Sequence, residues 1–247
     1  MTIFIPMRTF AAVAAIGLFA FCASGWANAQ SLSVSPVNVQ LAPGETATAI
    51  TVENMSDRAA AFQLRAFDWA EKDGEDSLSP SGAIVASPPL GTVEAGGTQV
   101  IRLVLRRKPV SREETYRIWL DEIPPTDSPR AVRIALRLSI PVFAEPDTRA
   151  IPDLHWSLVR EGGEIYLVAA NAGTRHETVR KLIVKGPDGN VLATDGNVSP
   201  HVLAGSERRW HIAGLRRAAP DGMVVQITAV TDSGSSSQSV GFASRNP

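Results

Sequence analysis

The chain has 247 residues, with 24 basic and 25 acidic side chains, a formal charge of −1 and a single cysteine. That balance supplies no basic field for nucleic acid. Nothing after the first 29 residues approaches the roughly 20 apolar residues of a membrane-spanning helix, so no stable membrane insertion is expected.

The chain opens with Arg8 followed by the apolar run TFAAVAAIGLFAFCA and the small-x-small sequence Ala27-Asn28-Ala29, the pattern of a cleaved export signal over residues 1–29. Cys22 lies inside it, and Phe19-Ala20-Phe21 lacks the small residue expected before a lipidated cysteine. The 218 residues from Gln30 onward carry 23 basic and 25 acidic side chains and no cysteine. An exported chain without disulfides must draw its stability from buried cores.

Helical periodicity is almost absent. Short alternating runs recur in the first half at SLSVSPVNVQL, TAITVENM, AAFQLRAFDW, TQVIRLVLRR and TYRIWLDEI, punctuated by Pro43-Gly44, Asn54 to Asp57, Glu71 to Asp76 and Gly96-Gly97. Pro124-Pro125 stops the last of these, because proline cannot donate to a ladder. The next run, RAVRIALRLSIPVFAEP, is the most regular. Val132, Ile134, Leu136, Leu138, Ile140 and Val142 alternate with Arg133, Ala135, Arg137, Ser139 and Pro141. Its nearness to TYRIWLDEI makes the two an antiparallel pair. Eleven residues with one uniform aliphatic face exceed the length of an ordinary sandwich strand. Pro141 is expected to end the pairing or to mark a bulge.

After Glu145-Pro146-Asp147 the pattern restarts with LHWSLVRE, EIYLVAAN, TVRKLIVKG, NVLAT, SERRWHIAGL, MVVQITAV and SQSVGFAS, while Gly234 to Ser237 reads as a loop. Turn signals about every ten residues point to a second all-β sandwich. The organisation expected is an all-β chain of two tandem sandwiches, residues 30–146 and 147–247, with Arg149 to Pro152 as a short connection.

Signs of catalysis are lacking. His155, His176, His201 and His211 are scattered without metal-ligand spacing and read as surface or turn residues. There is no G-x-S-x-G elbow, phosphate loop or H-E-x-x-H. Glu113-Glu114 and Asp121-Glu122 are strand neighbours that point to opposite faces and read as solvated. Trp69, Trp119, Trp156 and Trp210, one per strand, read as core. No enzyme, metal or cofactor is expected.

Four ordered segments, VENMSDRAAAFQLRAFDW, ASPPLGTVEAGGTQVIRLVL, YRIWLDEIPP and RIALRLSIPVFAEP, resemble the periplasmic chaperones of the chaperone–usher pilus pathway. The resemblance implies two immunoglobulin-like domains in an L-shaped arrangement, periplasmic location, and a donor strand lent to a pilus or fimbrial subunit that lacks its own final strand. It names Val132, Ile134, Leu136, Leu138 and Ile140 as the subunit-binding residues. An outer-membrane usher is the implied second partner, and an unpaired aliphatic edge invites self-association when the protein is empty.

The likeness has departures. In the best-studied branch an arginine on the first strand and a lysine near the end of the donor strand hold the subunit's terminal carboxylate, where this chain has Val37 or Asn38, and Pro141. Arg102 and Arg117, set among apolar strand neighbours, are the alternative carboxylate anchors. Glu145 replaces an arginine of the family's interdomain ion pair, which leaves open a reversed pair with an unnamed arginine of the second domain. These features fit a divergent branch, of the kind serving spore-coat-protein-U-type fimbriae. The rival readings are a structural pilus subunit or tip adhesin, and an exported immunoglobulin-like binding module.

Overall fold

The fold comes from a computed structural model that describes residues 32–124, 135–194, 199–216, 220 and 222–242. The leader expected at residues 1–29, Pro125, and Val132 and Ile134 of the alternating sequence run lie outside the described residues. All regular structure among the described residues is β.

The first sandwich is built from β1 (Leu32–Ser35), β2 (Val39–Leu41), β3 (Ala47–Asn54), β4 (Ala60–Lys72), β5 (Glu75–Pro80), β6 (Ile84–Ser87), β7 (Leu90–Val93), β8 (Thr98–Leu105), β9 (Glu114–Ile123) and β10 (Arg137–Ala144). One sheet has the order β1-β3-β8-β6; the other has β2-β10-β9-β4-β5, with β7 also on β4. The segment SLSVSPVNVQL, one run in the sequence, is thus two strands. The chain leaves the first sheet at Ser35 and enters the second at Val39, so Pro36–Asn38 cross the open seam of the sandwich.

Alternation places the core. Ile50 and Val52 on β3, Ile101, Leu103 and Leu105 on β8, Phe62 and Leu64 on β4, and Ile118 and Leu120 on β9 are buried against one another, while the residues between them face outward. β4 and β10 depart from this rule at one end. On β10 every residue from Ile140 to Ala144 is buried. Ile140, Val142 and Ala144 enter the sandwich core, whereas Phe143 points the opposite way, as does Trp69 on β4. A strand buried on both faces needs a second layer, and here the other domain supplies it.

The second sandwich contains β11 (Leu154–Glu161), β12 (Glu164–Asn171), β13 (Glu177–Lys185), β14 (Val191–Thr194), β15 (His201–Val202), β16 (Glu207–Arg216), β17 (Val224–Thr231) and β18 (Gly234–Gly241). The order is β11-β12-β16-β14-β13-β17-β18, with β15 on β13, and a parallel bridge from Leu158 to Phe242 brings the last strand back to the first. Gly234 to Ser237, expected as a loop, are strand. Both faces of β18 are exposed over its first six residues, so no apolar alternation marks it, and its register is held instead by cross-strand pairs such as Thr228–Ser237 and Gln226–Ser239.

Each sandwich uses a buried asparagine at a strand end as a clamp. Asn54 Nδ2 donates to the carbonyls of Arg58, Val93 and Glu94, and its Oδ1 accepts from Ser56 N and Oγ. Asn171 Nδ2 donates to the carbonyls of Arg175 and Val202, and its Oδ1 accepts from Asp153 N and Gly173 N. Asn54→Ala leaves the buried carbonyl of Val93 without this donor, and urea denaturation is expected to show a loss of about 1–3 kcal/mol.

Candidate functional site

The alternating strand ends in β10, and its register defines what it offers. β10 pairs antiparallel with β9 along its whole length, from Arg137 opposite Asp121 to Ala144 opposite Glu114. Because Glu122 N–H donates to Leu136 C=O, the residues bonded to β9 are the even ones, and the backbone groups of Arg137, Ser139, Pro141 and Phe143 point to the other side. Pro141 therefore neither ends the β9 ladder nor marks a bulge, which corrects the sequence-based expectation. Its missing N–H falls on the far edge.

That far edge is only partly covered. β2 lies parallel to β10 over Val142–Ala144, and Glu145 N–H extends the contact to Leu41 C=O. Among the described residues no strand covers Arg137 to Pro141 on this side. The aliphatic side chains divide accordingly. Ile140 is 3% exposed within the chain's own core, whereas Leu136 and Leu138 are half-buried at its margin. Beside them a groove of about 250 Å³ is lined by Ser33, Val34, Val37, Leu138, Ser139 and Ile140.

The outer face of the same sheet carries an ordered group of cations and rings. Trp119, expected in a core, stands half-buried on this face. The guanidinium of Arg137 lies 4.3 Å and that of Arg65 5.1 Å from its ring centre, and Phe67 packs at 4.4 Å. Asp121 joins both arginines; although partial burial acts in the other direction, these two hold its carboxyl below the usual range. Arg117 is not a free cation: it stacks 3.6 Å from the centre of Trp69 and reaches Asp76 at 3.4 Å, while burial lowers its pKa. Arg102 is exposed on β8 between inward Ile101 and Leu103, hence on the outer face of the other sheet.

The end of β10 is fixed by the junction with the second domain. Trp69, Phe143 and Leu203 form an apolar cluster flanked by His176 and His201. His176 stacks on Phe143 with ring centres 3.6 Å apart, and Glu113 accepts its backbone N–H at 2.8 Å while both carboxylate oxygens lie within 2.9 Å of Nδ1. These two histidines and Glu113 are buried rather than solvated, a correction with a plain cause: the covering layer lies more than 60 residues away in sequence. Glu145 pairs with Arg175 at 3.1 Å, which names the arginine the sequence left open.

Deepest in the junction lies Arg208, 2% exposed, donating to Glu71, Asp76, Gly74 C=O and His201 C=O. The β4–β5 hairpin delivers the first three of these partners. Its tip, Asp73-Gly74, has φ of 53° and 82°, the left-handed pair that an Asp-Gly turn accommodates.

Burial pushes the Glu71 carboxyl up to about 7 against the pull of Arg208, and burial, then His176 and Arg117, push the His201 imidazole down to about 4. The two act oppositely on stability. His201, depressed from 6.5, contributes stability present above pH 6.5 and lost as pH falls toward 4. Glu71, raised from 4.5, contributes stability present below 4.5 and lost as pH rises through 7. His201→Gln removes only the first. Relative to the parent, this variant is expected to gain about 2 kcal/mol between pH 7 and pH 5, read from urea midpoints at each pH.

Residues 31–150 match the family model described as the pili and flagellar-assembly chaperone, PapD N-terminal domain. No curated protein matches the sequence. Among solved structures, a chain of the CsuC–CsuE chaperone–tip adhesion subunit pre-assembly complex, from the archaic chaperone–usher Csu pili of Acinetobacter baumannii, is similar with a TM-score of 0.67. Its identity is 24%, covering 87% of this chain and 100% of that one. The Salmonella enterica SafA pilin–SafB chaperone complex gives a TM-score of 0.58 at 18% identity, covering 87% and 96%. The E. coli chaperone DraB gives 0.56 at 21%, covering 86% and 96%. These likenesses are of fold.

Proposed function

Since residues 31–150 place this chain in the family of pili and flagellar-assembly chaperones, we propose that it holds pilus or fimbrial subunits by donor-strand complementation and passes them to an outer-membrane usher. Residues 1–29 direct it to the periplasm and are removed. The donor strand is the alternating segment from Val132 to Ile140, of which Leu136 and Leu138 are the described residues with apolar surface still open to a partner. The observation that carries this reading is the edge of β10 from Arg137 to Pro141, which no described strand pairs, beside half-buried leucines and an apolar groove.

A subunit that lacks its last strand exposes the complementary defect, an apolar cleft between unpaired edges. Adding a strand satisfies the edges through main-chain bonds and fills the cleft with every second side chain, and a one-residue slip would present Arg137 and Ser139 instead. Neither Arg102 nor Arg117 enters this reading, because the first lies on the far sheet and the second is engaged by Asp76 and Trp69. A divergent branch serving spore-coat-protein-U-type fimbriae fits the absence of charge at Val37 and Pro141.

The test is periplasmic co-expression of the mature chain with the pilin-type subunit encoded beside it. The parent is expected to yield a soluble complex, and Leu136→Asp to leave the subunit aggregated or degraded while the chaperone stays folded. A subunit that remains soluble without the chaperone, or that is held equally well by Leu136→Asp, overturns the reading.

A further inference from the structure

The two ends of β10 are held by different means. From Val142 onward the strand has β2 on its far edge and the second domain over Phe143. Over Arg137–Ser139 it has β9 alone: no described strand lies on the other edge, and Leu136 and Leu138 are half-buried on the inner face. A strand end with one ladder and a half-open face separates easily. The outer face carries the support that the edge lacks. Trp119 and Asp121 stand there on the central strand β9, with Arg137 of β10 directly opposite Asp121 and Arg65 of β4 directly opposite Trp119. Each arginine also reaches the residue diagonal to it. Arg137 donates from Nε to Asp121 Oδ1, and its guanidinium lies 4.3 Å from the Trp119 ring centre. Arg65 donates from Nε and Nη2 to Asp121 Oδ2 at 3.0 and 2.7 Å and lies 5.1 Å from the same ring. One carboxylate and one ring thus serve both cations. A single exposed ion pair contributes little, but a shared carboxylate with cation–π contact forms a network, and it acts on one strand end where only the ladder competes.

We propose that this group is a brace for the donor strand: Asp121, Trp119 and Arg65 hold Arg137, and through it the open half of β10, so that Leu136 and Leu138 stand extended and in register before a subunit arrives. The inference rests on the donor-strand reading above and deepens it. Arg137 is a positioning residue rather than a contact of the apolar face, because alternation turns its side chain to the opposite side of the strand from Leu136 and Leu138. A strand already ordered spares the partner the entropy of ordering it, and the fraction of chains presenting the strand scales the apparent affinity. The brace also explains the position of Trp119: its ring is packed at 4.4 Å by Phe67 on the open face, where it can receive both guanidiniums.

The experiment uses the isotopically labelled mature chain and its Arg137→Ala, Arg137→Lys and Arg102→Ala variants. Arg102, exposed on the outer face of the other sheet, controls for the loss of a surface cation. The order parameter of the Leu138 amide is expected near the rigid value of about 0.85 in the parent and in Arg102→Ala, and below about 0.6 in Arg137→Ala. The urea midpoint should not move, since Arg137 lies outside both cores. Arg137→Lys should fall between, because an ammonium keeps the charge beside Asp121 but not the planar stack on Trp119. Capture is read as the rate at which the pilin-type subunit encoded beside the gene, diluted from urea, enters a soluble complex. It is expected to slow by about threefold in Arg137→Ala and to follow the order parameter through the series. A Leu138 amide that stays rigid in Arg137→Ala overturns the proposal, and slowed capture beside it would make Arg137 a direct contact of the subunit. A loosened strand with unchanged capture, or with a urea midpoint that falls in step, overturns it as well. The underlying reading fails separately. If the parent captures the subunit and Arg137→Ala matches it throughout, only the brace falls; if the parent captures none, the donor-strand reading falls and takes the brace's role with it.

Discussion

Arg208→Ala is expected to destabilise the protein by about 3–5 kcal/mol in urea, and to split one unfolding transition into two. The guanidinium is 2% exposed and supplies hydrogen bonds to four groups on two segments: Glu71, Asp76 and Gly74 C=O on the β4–β5 hairpin and His201 C=O on β15. Asp76 keeps Arg117 when Arg208 is removed, but Glu71 keeps only the backbone N–H of Leu203 at 3.0 Å. Its carboxyl, already pushed up to about 7 by burial, then lies buried in the junction without the cation that hydrogen-bonds it. The pair Arg208→Met with Glu71→Leu is expected to recover most of the loss, because replacing both partners removes the stranded charge along with the bond. A double-mutant cycle at pH 7 measures the difference. If Arg208→Ala costs less than about 1 kcal/mol, the apolar cluster with the Glu113–His176 and Glu145–Arg175 contacts holds the junction without it.

The split transition follows from where the contacts lie. Glu71, Asp76, Glu113, Trp69 and Phe143 belong to the first sandwich, and His176, His201, Leu203 and Arg208 to the second. The apolar part, Trp69 with Phe143 and Leu203, remains in the variant, yet it is small beside either domain core. Polar contacts therefore carry much of the cooperativity between domains, and they fix β10 at its C-terminal end while its N-terminal end stays open at the seam.

Much of this architecture was legible in the chain because strands buried on one face alternate. The runs at TAITVENM, TQVIRLVLRR, TYRIWLDEI and EIYLVAAN became β3, β8, β9 and β12. The elements that escaped lack this signal. β5, β6 and β7, with sequences EDSLSP, IVAS and LGTV, are short and rich in Ser, Pro or Gly, and β5 has no buried residue. The junction was unreadable for a different reason: periodicity reports a residue's own strand, and the burial of Glu113, His176 and His201 comes from the other domain. One trace did exist. Trp69 follows Phe62, Leu64 and Ala66 out of phase, and Phe143 sits between Val142 and Ala144, so each is a large apolar ring on the face that alternation assigns to water. Read as a pair, they mark where the second layer had to lie.

The alternating strand itself looks uniform in sequence and is not uniform in the fold, and that contrast gives the sharpest expectation. Ile140→Asp is expected to abolish folding of the first sandwich, whereas Leu138→Asp, two residues away on the same face, should cost only about 1–2 kcal/mol and remove the capacity to hold a subunit. Ile140 is 3% exposed among Ile118, Val142 and their neighbours, so a carboxylate there would be desolvated with no cation in the core cluster. Leu138 is half-buried on the groove, where a carboxylate can turn toward water. Circular dichroism of the two purified variants, beside subunit co-purification, separates the outcomes. If both variants unfold, the open part of the strand is core and offers nothing to a partner. If both fold and both release the subunit, Ile140 too belongs to the donor surface, and the sandwich must open further than the seam between β1 and β10 when the partner enters.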